Sequence, residues 1–223
     1  MKRRNRSTVL GLTLPFFMAV AVDRAESRLI RDYEGHAYQT VQIGGQVWTA
    51  ENFRTEFTPM GERLNGVWAY EKDERHAPVY GRLYTHEAAV RACPEGWRLP
   101  TPLDLETLFM TLAALEEGAA SSLRPIAGGL LKSKGTMCWR PSSSPGLDTG
   151  GFGALPGGHG LRAGEAVEFD GLGEAAAFWS GAPSQNGQSA WSVNCRYNSS
   201  QIHTGFADSA TALSVRYLRD TDG

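Results

Sequence analysis

A loop-rich α+β or β-rich fold is what this sequence predicts, and three observations lead there. Only one stretch sustains a helical repeat of apolar residues, 26 glycines and 11 prolines punctuate the rest, and the region near the C-terminus alternates with the period of a strand. In that region Trp191, Val193, Cys195 and Tyr197 fall on one face, and Ser192, Asn194 and Arg196 on the other. Asn198-Ser199-Ser200 reads as a turn and residues 201–206 as a returning strand. The pattern predicts a half-buried pleated platform, with hydrophobic groups beneath it and a polar array above.

The 223 residues suit one domain with appendages, or at most two small domains, and 41% hydrophobic content is enough for a sizeable core. A formal charge of −2 gives no electrostatic case for nucleic acid. Lys2, Arg3, Arg4 and Arg6 precede an apolar run over residues 9–22, and Ala19-Val20-Ala21 supplies small residues for cleavage. That is the layout of a secretory signal over 1–21, too short for a comfortable membrane span; 22–31 then reads as a linker and 32–220 as the domain. Export is expected, with no stable span after cleavage. Cys93, Cys138 and Cys195 are an odd set for an oxidising compartment, where one pair would leave one thiol over, and none has metal-ligand spacing.

In chain order, residues 38–43 and 46–49 form a hairpin signal, with Gly44-Gly45 suited to positive φ in a two-residue turn. Residues 55–76 read as a charged loop carrying Trp68 and Tyr70. A first helix runs over 85–93, capped by Thr85 and stopped by Pro94. The second starts at Thr101, with Pro102 in the first turn and Asp104 completing a capping box; Leu105, Leu108, Phe109, Leu112 and either Leu115 or Ala113 make its buried stripe, and it ends near Gly118. Beyond that point regular helix is expected to disappear. Leu130, Leu131, Met137 and Trp139 read as isolated anchors, and the glycine-dense stretch 148–158 as tight turns around buried Phe152 and Leu155. That stretch lacks the Gly-Lys-Ser/Thr ending of a phosphate loop.

Six strings occur in a particular order. They are Tyr38-x-Thr40-Val41-x-Ile43-Gly44-x-Gln46-x-Trp48-x-x-Glu51-Asn52, Tyr80-Gly81-x-Leu83-Tyr84-Thr85 and Ala92-Cys93-Pro94-x-Gly96-Trp97-Arg98-Leu99-Pro100-Thr101. Then come Gly151-Phe152-x-Ala154-Leu155-Pro156-Gly157-Gly158, Phe178-Trp179-Ser180 and Ser214-Val215-Arg216. Together they resemble the Fibrobacter succinogenes major paralogous domain, a family of exported bacterial proteins, over residues 32–220. The resemblance implies an α+β, C-type-lectin-like fold: two helices, a small twisted antiparallel sheet and long irregular loops. It also implies a non-catalytic, secreted or surface-exposed protein. Some members are variable proteins of diversity-generating retroelements, in which the segment before the closing Ser-Val-Arg is hypermutated. Residues 184–208 look like such a segment. Family members usually place a Cys after Ser-Val-Arg, where this chain has Tyr217. If that Cys pairs with the one matched by Cys93, the bridge is lost here and Cys93 is left free or re-paired with Cys138 or Cys195, a difference of about 2–4 kcal/mol in denatured-state restraint.

The expected ligand-contact residues are therefore Ser184, Gln185, Asn186, Gln188, Ser192, Asn194, Arg196, Asn198, Gln201, His203, Phe206 and Asp208. Trp191 or Phe206 would offer stacking, and Asn194, Arg196 and His203 hydrogen bonds, to a protein or glycan ligand. No catalytic set, cofactor or metal site is expected. The five histidines are scattered, and a Cys195–His203 dyad is disfavoured because alternation turns Cys195 inward. The Glu-Pro-Asn, Gln-Pro-Asp and Trp-Asn-Asp tripeptides of calcium-dependent sugar binding are absent. Acidic loops at Asp148 and at 165–170 read as solvated surface. An enzyme of the sulfatase-modifying kind is the alternative, for which Cys195 lacks a partner thiol; a cell-surface adhesion module is another.

Overall fold

A computed structural model describes residues 29–116, 124–135, 138–164 and 166–219. The expected signal, most of the linker, Gly118, Met137, Glu165 and Asp220 lie outside the described residues. The chain enters through β1 (Ile30–Arg31), antiparallel to β2 (Ala37–Tyr38). β3 (Thr40–Ile43) and β4 (Gln46–Thr49) form the expected hairpin. Of the two glycines at its turn only Gly44 takes positive φ, at 59°. The following loop is not wholly irregular: it holds β5 (Val67–Trp68), a 3-10 turn (Tyr70–Lys72) and the short α1 (Ala77–Tyr80), and β5 pairs with β6 (Leu83–Tyr84).

Both expected helices form where their caps place them. α2 (His86–Arg91) starts at Thr85, whose hydroxyl accepts from the Ala88 amide. β7 (Trp97–Arg98) leads to α3 (Pro102–Leu115), opened by the reciprocal Thr101–Asp104 capping box. Its stripe closes on Ala113, which is buried, while Leu115 is exposed. Arg98 also donates two hydrogen bonds to the Asp104 carboxylate, which holds that carboxyl below its usual range despite the opposing effect of burial.

Regular helix does not disappear after α3. α4 (Arg124–Leu131) contains Leu130 and Leu131, so these are core positions of a helix. Gly128-Gly129 hides it from a propensity reading, because glycine is a poor helix former. The reason for glycine is tertiary: a Cβ at Gly128 would lie 2.6 Å from the Gln201 carbonyl oxygen. The Gly128 amide donates to the Ser200 carbonyl at 2.8 Å, so helix and turn meet backbone to backbone.

β8 (Gly157–Ala163) and β9 (Ala166–Leu172) make a second hairpin, so residues 166–170 belong to a strand and not to an acidic loop. In the preceding turn region Phe152 and Ala154 are buried while Leu155 is only half-buried. β10 (Ala175–Pro183), β11 (Ser189–Arg196) and β12 (Ile202–Asp208) follow as a meander. The larger sheet has the order β12-β11-β10-β8-β9, antiparallel except between β10 and β8. β13 (Leu218–Arg219) then inserts between β4 and β7, giving a second sheet β3-β4-β13-β7 that ties the end of the domain to its beginning.

β10 is the centre of the molecule. Residues 175–180 are buried on both faces, which requires a continuous apolar run and not an alternating one. On one face Ala176 and Phe178, with Val193 and Cys195 of β11, pack against Leu105, Leu108, Phe109 and Leu112 of α3 and Leu130 of α4. On the other, Ala177 and Trp179 join Tyr84, Ala89, Leu213, Val215 and Tyr217.

Four of the six strings noted above converge on one buried polar knot. Arg216, 1% exposed, donates from Nε to Asn52 Oδ1 at 2.7 Å and from its two terminal nitrogens to the Thr49, Phe152 and Gly153 carbonyls at 2.8–3.1 Å. Its guanidinium stacks on the Phe152 ring at 5.0 Å. Asn52 in turn donates to the Tyr80 carbonyl and to Ser214 Oγ. Burial pulls the guanidinium below its ordinary value, but four acceptors surround it. These residues hold the loops to the sheets.

Candidate functional site

The outer hairpin β11–β12 and the β10–β11 connection carry all twelve expected contact residues, and the structure divides them. Register places Trp191 opposite Phe206, Val193 opposite Thr204 and Cys195 opposite Ile202 on one face. Ser192 faces Gly205 and Asn194 faces His203 on the other. Stacking on Phe206 therefore cannot combine with hydrogen bonds from Asn194 and His203 at a single face.

Neither face is a plain apolar-below, polar-above surface. Val193 and Cys195 are buried as expected. Trp191 is half-buried, with its ring edge-on to Phe206 at 5.2 Å between centroids, and Phe206 is 59% exposed. Across the sheet Ser192 is half-buried and spends its hydroxyl on the Gly205 carbonyl at 3.2 Å. Asn194 is also half-buried; its Oδ1 is shut off from solvent and has no hydrogen-bond partner among the described residues. The cause is β10, whose second apolar face brings the other half of the core to this side of the sheet. Alternation in β11 alone could not reveal a second core.

What reaches solvent is the rim. Arg196, Asn198, Gln201, His203, Phe206 and Asp208 are exposed along the β11–β12 turn and the edge strand β12. Gln185, Asn186 and Gln188 are exposed at the β10–β11 tip, and Ser184 is half-buried. The tip is held by its own side chains: Ser184 Oγ donates to Asn186 Oδ1 at 2.8 Å, and that oxygen also accepts from the Gln188 amide at 3.1 Å. Such Asx-type bonds fix loop shape locally. Asp208 is likewise engaged in the turn that follows, accepting from the Ala210 amide.

Lys132 fixes the other end of the hairpin. It is 1% exposed, and its ammonium lies within hydrogen-bond distance of the Ser144, Arg196, Tyr197 and Ser199 carbonyls, at 2.5–3.3 Å. Three of these belong to the β11–β12 turn, so a buried cation takes the place of regular pairing there. Burial lowers the pKa of this lysine. Between α3 and β12 lies a narrow groove of about 30 Å³, bordered by Glu106, Phe109, Trp191, Ile202 and Thr204.

Sequence reasoning missed two participants. Lys132, directly after two buried leucines, could have been suspected of being a buried cation. His159 on β8 gave no such signal. Its Nδ1 is buried without a partner among the described residues, and burial first, with the charge of nearby Arg196, lowers its pKa against the opposing effect of Asp170.

The hairpin assembles no nucleophile and base. Cys195 is 1% exposed, burial pushes its thiol up to about 12, and it projects from the face opposite His203. None of the three cysteines forms a disulfide. Cys93 Sγ contacts the Trp97 carbonyl at 3.0 Å. Tyr217, standing where a Cys was expected, is fully buried and donates to the Ala89 carbonyl at 2.7 Å. One side-chain hydrogen bond thus anchors β13 to α2.

No curated protein and no solved structure matches the chain. The family model of the Fibrobacter succinogenes major domain matches residues 41–219, from the first hairpin through the closing strand, and covers the polar knot and the outer hairpin alike. The chain belongs to the Fibrobacter succinogenes major domain family.

Proposed function

We propose that this chain is an exported, non-enzymatic binding protein whose contact surface is the rim of its outer hairpin. That surface comprises the β10–β11 tip, the β11–β12 turn and edge strand β12. One observation carries the reading: exposed Arg196 and Gln201 stand at the hairpin end fixed by Lys132 and the Gly128 contact, His203 and Phe206 on the edge strand paired to β11, and Gln185 and Gln188 on a tip held by Ser184 and Asn186. Their identities can change without disturbing either core cluster. A C-type-lectin-like architecture and diversification by a retroelement fit the same division of labour, a constant frame with a replaceable rim. Arg196 would supply a charge-assisted contact to a protein or glycan ligand.

The test is a variant with Gln188, Arg196, His203 and Phe206 all replaced by Ala. Binding to intact bacterial cells and to a protein and glycan microarray should be lost, with the melting temperature shifting by no more than about 8 °C, because exposed positions contribute within roughly ±0.5 kcal/mol each. Collapse of stability, or unchanged binding, would assign the rim a structural role. Diversification predicts a reverse-transcriptase gene beside a copy of the gene's 3′ end differing at adenines. Export predicts a mature N-terminus at Val22.

A further inference from the structure

Away from the outer hairpin, a cleft of about 390 Å³ opens between the β1–β2 entry and the connector joining α2 to β7. That volume is in the range of small-molecule sites, well above the 30 Å³ of the groove beside α3. Its walls carry three aromatic rings, Tyr33, Phe57 and Trp97.

Two of these rings are held in place although they reach solvent. Tyr33 is 59% exposed. It lies directly on Gly61, whose φ of +87° favours glycine and where an added Cβ would come within 2.6 Å of the ring carbons. Phe57 braces Tyr33 from the side, at 5.6 Å between centroids. Trp97 has one face covered by the Arg219 guanidinium at 5.3 Å and lines the cleft while half-buried. A large exposed ring seated on a glycine and flanked by a second ring offers an open aromatic face.

The polar groups of the cleft are of two kinds. Asp32 is committed: its carboxylate takes the Tyr38 hydroxyl at 2.5 Å and the His36 ring and amide at 2.9 Å each. Glu34 is likewise engaged, by Thr55 and the Glu56 amide. Asp32, Glu34 and His36 cluster within 4.8 Å, with the Asp32 carboxylate and His36 Nδ1 bonded to each other. Glu95, exposed beside Trp97, makes no hydrogen bond among the described residues; Arg31, exposed on the same cleft, donates from one terminal nitrogen to the Gly35 carbonyl at 2.9 Å and keeps its other guanidinium donors for a ligand.

We propose that this cleft binds a saccharide, with the apolar C–H face of one pyranose ring on Tyr33 or Trp97 and its hydroxyls on Glu95 and Arg31. The charges decide against a quaternary ammonium ligand. Arg31 lines the cleft and Arg219 covers one wall ring, Trp97, so two positive charges already stand close by, while Asp32 is screened by its internal hydrogen bonds. A sugar hydroxyl both donates and accepts, and so uses Glu95 and Arg31 together. The site is separate from the hairpin rim and does not depend on the function proposed for it.

The test is saturation-transfer NMR on the full mature chain with the methyl glycosides of glucose, galactose, mannose and N-acetylglucosamine. At least one should receive saturation at its ring protons. Tyr33→Ser and Glu95→Gln, both at exposed positions, should each weaken that binding tenfold or more with the melting temperature unchanged, while Arg196→Ala should leave it intact. Absence of binding by all four glycosides, or binding indifferent to both cleft variants, would overturn the proposal. Binding of tetramethylammonium or a proline-rich peptide in place of the glycosides would overturn it equally.

Discussion

Arg216→Met removes the guanidinium at the centre of the polar knot and keeps a flexible apolar stem of similar reach. Four acceptors lose their donor at once: Asn52 Oδ1 and the carbonyls of Thr49, Phe152 and Gly153. With Arg216 only 1% exposed, water cannot replace them without opening the fold. Each unsatisfied buried acceptor costs about 1–3 kcal/mol. Against this, the variant no longer desolvates a charge that makes no ion pair among the described residues, which returns several kcal/mol. The net expected loss is about 3–5 kcal/mol, or roughly 6–20 °C in melting temperature for a domain of this size. Urea denaturation followed by tryptophan fluorescence gives the free energy, and circular dichroism the midpoint. Arg216→Lys keeps the charge but loses the fork, and should fall between wild type and Met. A loss below about 1 kcal/mol for Met would refute the reasoning, since it would mean that the knot's hydrogen bonds merely balance its desolvation.

Three further outcomes are expected. Gly128→Val drives a branched side chain into the Ser200 and Gln201 carbonyls and should destabilise by about 1–3 kcal/mol, with faster hydrogen exchange in residues 197–201 by mass spectrometry; unchanged exchange would deny the backbone contact. His86 and His159 both have pKa values lowered first by burial from 6.5, so as pH falls below 6.5 the unfolded chain takes up protons before the folded one does. Stability is therefore full above that pH and declines beneath it. His86→Gln, which can still donate to the Ser180 carbonyl, should flatten the slope of melting temperature between pH 7 and 5. Cys195 should resist iodoacetamide at pH 8 in the native protein and react once urea unfolds it; native labelling by peptide mass spectrometry would contradict its burial.

The sequence by itself determined what depends on neighbours along the chain. The Thr101–Asp104 capping box, the Thr85 cap, the first hairpin and the β11–β12 meander all follow from spacing of a few residues, and each stands where its spacing puts it. The six ordered strings identified the family, though most of them turn out to build the frame and not a binding surface. Tertiary structure alone decided the rest. α4 is stabilised against its two glycines by a backbone contact with the β11–β12 turn, reached from far along the chain. Asn194 is drawn inward because β10, buried on both faces, gives the sheet a second core that the alternation of β11 does not register. The same holds for the aromatic cleft, whose rings Tyr33, Phe57 and Trp97 come from segments well separated along the chain. Local rules fix which segments are helix or strand; which side of a strand meets water depends on what the remainder of the chain packs against it.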